Sequence, residues 1–326
     1  MMKDSQIKPP RISIAVRAWN EEAVIRRTLE SLFAQSLFQE LSARGECCEV
    51  LCIPNGCTDR TAEIAKAVFA EQKESHPFAS TFVASVRDMR EAGRNHTWNA
   101  FVHYLSAPEA EFLFLMDSDI LFNRPETLFN MYRTLLDNST AQIASDLPVK
   151  DVALKPQKSW RDRLSLATSE MNRAKEGQMT GQLYCIRAEV ARRLYLPKDL
   201  GSTDDGFIKA IVCTDFLSAP LNPGRIVVAE NASHVYEAYT SIGEVLKNQK
   251  RQMIGQTIVQ VLMEHFKTLP QPQRTNLAAT LRHKDEAKPI GSRVSWRNTC
   301  NACAISGGCF PTPSASASNA GGGCPR

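Results

Sequence analysis

The chain has 326 residues, of which 43% are hydrophobic and 23% are charged, as is typical of a globular protein with one large domain or two ordinary ones. Its 39 basic and 35 acidic residues give a formal net charge of +4, which argues against nucleic acid as a partner because nucleic-acid-binding proteins concentrate basic residues. The sequence has neither an apolar run of about 18 residues nor an apolar leader, so we expect a cytoplasmic protein. Peripheral contact with the inner face of a membrane stays open.

Strand-like and helix-like segments alternate from residue 12 onward, which predicts an α/β fold with a mostly parallel sheet flanked by helices. The first three strands are expected at residues 12–16, 49–53 and 82–86. A fourth strand is expected at residues 111–116, because the continuous apolar run that follows Glu111 is typical of a central strand buried on both faces.

The order of the elements is less clear after residue 140. The periodicity predicts further strands at residues 141–146, 182–186 and 225–230, an amphipathic helix at 160–175, and a long helix at 241–266. One domain is therefore expected over residues 1–267, with one half at about 10–120 and the other at about 121–267.

A low-complexity, disordered tail is expected over residues 268–326, because this segment is rich in Pro, Ser, Gly, Ala and Asn and lacks sustained periodicity. The tail holds four of the ten cysteines, and the Cys300-x-x-Cys303 spacing suggests zinc. The distances to Cys309 and Cys324 fit no usual four-ligand pattern, which argues against a zinc site. The other six cysteines lie in or beside apolar strand-like runs and are expected to be reduced and mostly buried.

Polar clusters follow three of the predicted strands, where open α/β sheets bind their ligands. They are Trp19-Asn20-Glu21, Asn55-Gly56 and Asp117-Ser118-Asp119. The last cluster ends a fully apolar strand, and its carboxylates suit Mg²⁺ or Mn²⁺ shared with a substrate's phosphates. Taken alone, Asp-x-Asp is more typical of a solvated turn that caps the helix after it.

Six segments resemble, in the same order, motifs of family 2 glycosyltransferases. They are residues 12–22 (ISIAVRAWNEE), 55–61 (NGCTDRT), 93–100 (GRNHTWNA), 114–119 (FLMDSD), 180–187 (TGQLYCIR) and 203–208 (TDDGFI). The resemblance covers about residues 10–265, and it implies that the half at about 10–120 binds the nucleotide sugar and the half at about 121–267 binds the acceptor. It implies the GT-A type of α/β fold and a hexosyltransferase-like, metal-dependent, inverting activity that moves a sugar from a nucleotide-diphosphate sugar to a saccharide or lipid-linked acceptor.

The resemblance also assigns roles to individual residues. Asp119 is the expected ligand of the Mg²⁺ or Mn²⁺ ion on the donor diphosphate, and Asp205 is the expected catalytic base, with Asp204 beside it. Asp117 is expected to contact the nucleoside and Arg94 to face the phosphates. The full set of expected donor-binding residues is Trp19, Glu21, Asn55, Arg94, Asp117 and Ser118.

The sequence departs from the family pattern at three places. Pro54-Asn55 stands where the family often has Asp-Asp, which leaves the nucleotide undetermined, and Asp204-Asp205 replaces Glu-Asp. The Gln-x-x-Arg-Trp motif of processive members is absent, and residues 247–251 (KNQKR) echo it only loosely.

Two alternatives stay open for the function. One is a catalytically silent GT-A-like protein that binds nucleotide sugars, and the other is a sugar-phosphate nucleotidyltransferase. The latter requires a Gly-rich basic loop after the first strand, and RAWNEE is not such a loop. An oxidoreductase is weaker still, because no G-x-G-x-x-G follows a strand.

Overall fold

A computed structural model describes residues 9–157, 177–239 and 241–287, and it confirms the α/β class. The strands are β1 Ile12–Ala18, β2 Cys48–Pro54, β3 Phe82–Val86, β4 Phe112–Asp117, β5 Leu121–Phe122, β6 Ile143–Ser145, β7 Val149–Lys150, β8 Leu183–Arg187, β9 Ile226–Val228 and β10 His234–Tyr236. The helices are α1 Ile25–Phe33, α2 Leu37–Arg44, α3 Thr61–Ser75, α4 Arg94–Ala100, α5 Thr127–Asp137, α6 Ala188–Arg192, α7 Asp204–Cys213, α8 Ile242–Thr268, α9 Gln271–Thr275 and α10 Leu277–Glu286.

Seven strands form the central sheet, in the order β3-β2-β1-β4-β8-β6-β9. Neighbouring strands in the described sheet are parallel, except where β8 pairs antiparallel with β4 and with β6. The prediction of a mostly parallel sheet is therefore confirmed. A smaller sheet, β5-β10-β7, lies beside the end of β4.

Strand β4 shows why the sheet carries a core on both faces. Phe112, Phe114 and Met116 pack into the core on one face, and Leu113 and Leu115 pack into the core on the other. All five side chains are buried, because successive residues of a strand point to opposite faces and helices cover both. The continuous apolar run of β4 follows directly from this double burial.

The chain continues as packed helices beyond the long helix α8, which begins at a capping box. The Ser241 hydroxyl accepts a hydrogen bond from the Glu244 amide at 3.1 Å, and the Glu244 carboxylate accepts one from the Ser241 amide at 3.2 Å. In α10, Leu277 and Leu281 are buried in the same core as Phe266 of α8.

Residues 268–287 thus depart from the expected tail, because α10 places two leucines one helical turn apart on an apolar surface. Residues 288–326, with their four cysteines, lie outside the described residues, as does the expected helix at 160–175. Within the described ranges, no helix combines the length and the apolar character needed to cross a membrane.

Replacing Leu281 with alanine tests whether α10 belongs to the core. We expect Leu281→Ala to lower the free energy of unfolding by about 2–5 kcal/mol, because the side chain is buried and its loss leaves a cavity. Urea unfolding measures the change. Leu246→Ala in α8 is the matched control, since the Leu246 side chain is exposed. Equal stabilities for the two variants would contradict the packing of α10.

Candidate active site

The polar clusters after β1, β2 and β4 lie at one edge of the central sheet. In the parallel register, Arg17 of β1 lies opposite Ile53 of β2 and Asp117 of β4, so the three strands end side by side. Because parallel strands present their carboxyl ends to the same edge, the residues that follow them are brought together.

Two arginines and two aspartates form an ion-pair network at this edge. Arg17 Nη2 donates a hydrogen bond to Asp117 Oδ1 at 2.7 Å, and Arg17 Nη1 lies 3.6 Å from Asp204 Oδ2. Arg94 Nε donates to both Asp204 oxygens at 3.0 and 3.1 Å, and Arg94 Nη1 donates to both Asp117 oxygens at 3.1 and 3.2 Å. Each aspartate therefore contacts both arginines.

The network also depends on the backbone of Gly181, in the segment before β8. The Gly181 carbonyl accepts a hydrogen bond at 2.8 Å from Nη2 of Arg17 and another at 2.8 Å from Nη2 of Arg94. A Cβ atom at position 181 would lie only 2.8 Å from Arg94 Nη2. A side chain at this position would therefore displace the guanidinium from its present contacts.

Two members of the network are buried, so their positive and negative charges must compensate each other. The side chains of Arg17 and Asp204 are only 4% and 2% exposed, and Nε and Nη1 of Arg17 find no hydrogen bond among the described residues. Burial opposes the charge of Arg94, but Asp117 and Asp204 outweigh it and raise the pKa of that guanidinium. A buried charge whose partner is removed is strongly destabilising, so each group requires the others.

This arrangement bears on two of the expected donor-binding residues. The resemblance places Arg94 against donor phosphates and Asp117 against the nucleoside. In the structure, the Arg94 guanidinium is occupied by two carboxylates and a carbonyl, and the Asp117 carboxylate is occupied by two arginines. The structure therefore gives both residues a positioning role, and their contacts with the donor stay predictions.

Asp119 and Glu21 lie at the same edge but outside the network. Asp119 is exposed in the turn after β4, yet the surrounding protein displaces much of its water. This desolvation and the Asp117 carboxylate raise the pKa of Asp119, while Arg94 and His234 oppose the shift. Burial, followed by nearby carboxylates, of which Asp119 is the foremost, raises the pKa of Glu21 to about 7. These carboxylates crowd one another and leave an excess of negative charge.

Asp205 lies in the first turn of α7, immediately after Asp204 of the network. Its Oδ1 accepts a hydrogen bond from the Gly206 amide at 2.7 Å, and its Cβ lies 3.6 Å from the position that a Gly181 Cβ would occupy. Burial and the Asp204 carboxylate raise the pKa of Asp205, although the Gly206 amide, Arg94 and Arg251 act in the opposite direction. Asp205 is half-buried, so a ligand in the cleft can reach it.

A buried pair of His234 and Asp146, in which the histidine is close enough to Asp119 to act on its charge, was not expected from the sequence. His234, the first residue of β10, has its Nδ1 2.7 Å from Asp146 Oδ2 and its Nε2 3.3 Å from Gln182 Oε1. The side chains of both His234 and Asp146 are fully buried. A lone histidine in a three-residue strand gives no signal in the sequence, because only the fold brings it to Asp119.

The structure separates the remaining expected donor-binding residues. The Trp19 side chain is 61% exposed and available to a ligand. The Asn55 side chain is buried, donating to the Ala18 carbonyl at 2.7 Å and accepting from the Gly93 amide at 3.1 Å. Asn55 thus holds two loops together. Ser118 is also buried, and its backbone carbonyl accepts a hydrogen bond from the Thr28 hydroxyl at 2.7 Å.

No group of three or more His, Cys, Asp or Glu side chains in the described part of the chain is arranged to hold a metal ion. Asp119 and His234 supply two side chains of suitable chemistry. A cation at this edge would therefore need further ligands from a bound molecule or from water.

Comparisons with solved structures find the same architecture. A mannosyltransferase from Pyrobaculum calidifontis, in complex with GDP-Man and Mn²⁺, matches with a TM-score of 0.55 and 18% identity, over 93% of this chain and 77% of that chain. A glucosyl-3-phosphoglycerate synthase from Mycobacterium tuberculosis, in complex with Mg²⁺ and UDP, matches with a TM-score of 0.46 and 18% identity, over 77% of this chain and 79% of that chain.

No curated protein matches the sequence, and the likeness to solved structures at these identities shows the fold alone. The family assignment has an independent basis. The family model described as glycosyl transferase family 2 matches residues 13–188, more than half of the chain. This chain has the GT-A fold and belongs to glycosyl transferase family 2.

Proposed function

We propose that this protein transfers a sugar from a nucleotide-diphosphate sugar to an acceptor hydroxyl, with inversion at the anomeric carbon. The observation that carries the proposal is that Asp119 and Asp205 each lie within two residues of an aspartate of one ion-pair network. Asp119 follows Asp117 by two residues, and Asp205 follows Asp204 by one. The network fixes Asp117 and Asp204. We infer that it thereby holds Asp119, the donor-side carboxylate, and Asp205, the acceptor-side carboxylate, at one sheet edge.

The charge of the edge supports a divalent cation as the donor's partner. The network contributes two positive and two negative charges, so the carboxylates outside it, Asp119 and Asp205, leave the edge negative when they are ionised. An anionic diphosphate would be repelled there unless a cation accompanied it. Mg²⁺ or Mn²⁺ suits the carboxylate, and the Mn²⁺ found with GDP-Man in the Pyrobaculum mannosyltransferase supports this choice.

We assign Asp119 and His234 as the protein ligands of that cation. A metal-binding histidine usually donates its other ring N–H to a carboxylate, as the 2.7 Å contact between His234 Nδ1 and Asp146 allows. Nε2 then carries the lone pair, and a cation would take the place of the Gln182 side chain, whose Oε1 lies 3.3 Å from that nitrogen. When bound, the cation stabilises negative charge on the departing diphosphate.

Asp205 acts as the general base in this proposal. An acceptor hydroxyl is a weak nucleophile until a base within hydrogen-bonding distance removes its proton. The Gly206 amide holds Asp205 Oδ1, and we assign Oδ2 to the acceptor proton. Asp204 is buried against two arginines and orients this turn. We assign the exposed Trp19 ring to contact with the donor's nucleoside. The acceptor in this proposal is a saccharide or a lipid-linked acceptor.

The first prediction of this function concerns the metal. We expect Asp119→Asn to weaken Mn²⁺-dependent binding of UDP or GDP by about 10–100-fold or more, because the variant removes a charged ligand. Isothermal titration calorimetry with Mn²⁺ and with EDTA measures the difference. Asp137→Asn is the control, since Asp137 is exposed at the end of α5. Equal nucleotide affinity with Mn²⁺ and with EDTA in the unaltered protein would refute the metal assignment.

The second prediction concerns Asp205. We expect Asp205→Asn to lower kcat by about 10²–10⁴-fold with little change in donor affinity. Because its pKa is raised, the base form of Asp205 is lost at a higher pH than for an ordinary aspartate, so kcat/KM should fall on the acid side from that higher pH. A pH profile measures this limb, which Asp205→Glu should shift and Asp205→Asn should remove. Normal turnover of Asp205→Asn would assign the base elsewhere.

The third prediction concerns the buried arginine. We expect Arg17→Met to lower the free energy of unfolding by about 3–5 kcal/mol, because the Asp117 and Asp204 carboxylates lose a buried partner. Arg26→Met is the matched control: Arg26 also pairs with two carboxylates, but at the surface, where little change is expected. Urea unfolding compares the two variants. Similar small effects would show that the network is unimportant for stability.

A further inference from the structure

A cavity of about 230 Å³ lies between α8 and the loop that leads into α7. Lys247, Lys250 and Arg251 line it from the helix, and Ser202 and Thr203 line it from the loop. We call these five residues the basic pocket. Pockets for drug-sized ligands usually have about 300–1,000 Å³, so this smaller volume suits one charged group better than a whole substrate.

The packing of α8 explains why the cations face the loop. Lys247, Arg251 and Gly255 follow one another at spacings of four residues and form one stripe of the helix, and Lys250, three residues after Lys247, lies beside that stripe. Gly255 packs so closely on Thr203 that an added Cβ would overlap the threonine side chain. This contact brings the helix against the loop, and the preceding turns of α8 therefore present their cations to the same cavity.

The three cations line one cavity to which no carboxylate of the described residues contributes. None of the described residues that line the cavity is acidic, and Arg251 donates its hydrogen bond to the neutral Asn248 side chain at 2.8 Å. Lys247 and Arg251 are four residues apart, a spacing at which like charges destabilise a helix. A bound anion would relieve this repulsion, and the Ser202 hydroxyl can donate a hydrogen bond to it. The Thr203 hydroxyl donates to the Leu200 carbonyl at 2.9 Å and fixes the loop beside the cavity.

The basic pocket adjoins the assigned base and not the donor edge. Thr203 immediately precedes Asp204 and Asp205, and the charge of Arg251 is close enough to Asp205 to favour its ionised form. The residues that line the cavity come from the loop at 200–203 and from α8, and the turn that carries Asp119 contributes none of them. A group held in this pocket therefore lies on the acceptor's side of the site.

We propose that the basic pocket binds a phosphate group of the acceptor and thereby brings the acceptor hydroxyl to Asp205. This inference rests on the proposed function for the role of Asp205, and it names the substrate class as a phosphorylated acceptor. The phosphate belongs either to a small molecule in solution or to a lipid headgroup. In both cases the recognition is the same, because lysine and arginine donate charge-assisted hydrogen bonds to phosphate oxygens.

The test removes two lysines of the pocket and leaves Arg251 beside Asp205 intact. Lys247→Gln/Lys250→Gln is compared with Lys66→Gln/Lys73→Gln, which removes two exposed lysines of α3. Inorganic phosphate is titrated into each protein by calorimetry in metal-free buffer. We expect the pocket variant to bind phosphate about tenfold more weakly or worse, and the α3 variant to bind it as the unaltered protein does.

A second assay identifies whether the phosphate comes from a small molecule or from a lipid. Sedimentation with vesicles of phosphatidylcholine, with and without phosphatidic acid, tests a lipid phosphate. Loss of binding to free phosphate in the pocket variant supports a soluble phosphorylated acceptor, and loss only with phosphatidic acid supports a lipid-linked one. Unchanged binding in both assays would overturn the inference.

The nucleotide arm separates this inference from the proposed function. Titration of UDP and GDP with Mn²⁺ should give the same affinity for the pocket variant and the unaltered protein. An equal loss of nucleotide and phosphate affinity would assign the pocket to the donor and overturn the inference. Failure of the unaltered protein to bind either nucleotide would count against the proposed function, whereas the phosphate titration would still decide what the pocket binds.

Discussion

The ion-pair network of Arg17, Arg94, Asp117 and Asp204 is the interaction on which the geometry of the site depends. Its members come from β1, β4 and the first residues of α4 and α7, so four distant parts of the sequence meet at one point. Removing any one member leaves a buried charge without its full complement, which is costly in a medium of low polarity. The network therefore fixes the position of the turn after β4 relative to the first turn of α7, which are the proposed donor side and acceptor side.

The topology of the sheet delivers the other parts of the site to the network. Strand β8 runs antiparallel to β4, with Leu183 opposite Met116, so the segment before β8 arrives at the carboxyl edge of β4. That segment carries Gly181, whose carbonyl receives both arginines, and Gln182, which faces His234. A parallel β8 would place this segment at the opposite edge of the sheet. The single reversal of direction is thus needed to complete the site.

Much of the fold could be predicted because burial on two faces leaves a strong pattern. The runs at residues 12–16, 82–86 and 111–116 agree with the observed strands to within two residues at each end. The helices at 271–286 were missed because their prolines and polar residues resemble a linker. Their two buried leucines become a core only when α8 and the sheet supply the surface they cover, and that surface cannot be read from the local sequence.

The sheet edge at which the polar clusters meet was predictable from the sequence, but the contacts of their side chains were not. A strand end identifies where a polar side chain lies, yet Arg94 can pair with a phosphate or with two carboxylates, and its sequence context is the same in both cases. Arg17 was missed because its partner Asp117 is 100 residues away. The two arginines and two aspartates of the network balance one another's charges. The carboxylates outside the network are not balanced in this way. The pKa values of Asp119 and Asp205 are raised, so a bound cation or a proton would stabilise these carboxylates. For that reason we propose Asp119 as the metal ligand and Asp205 as the base.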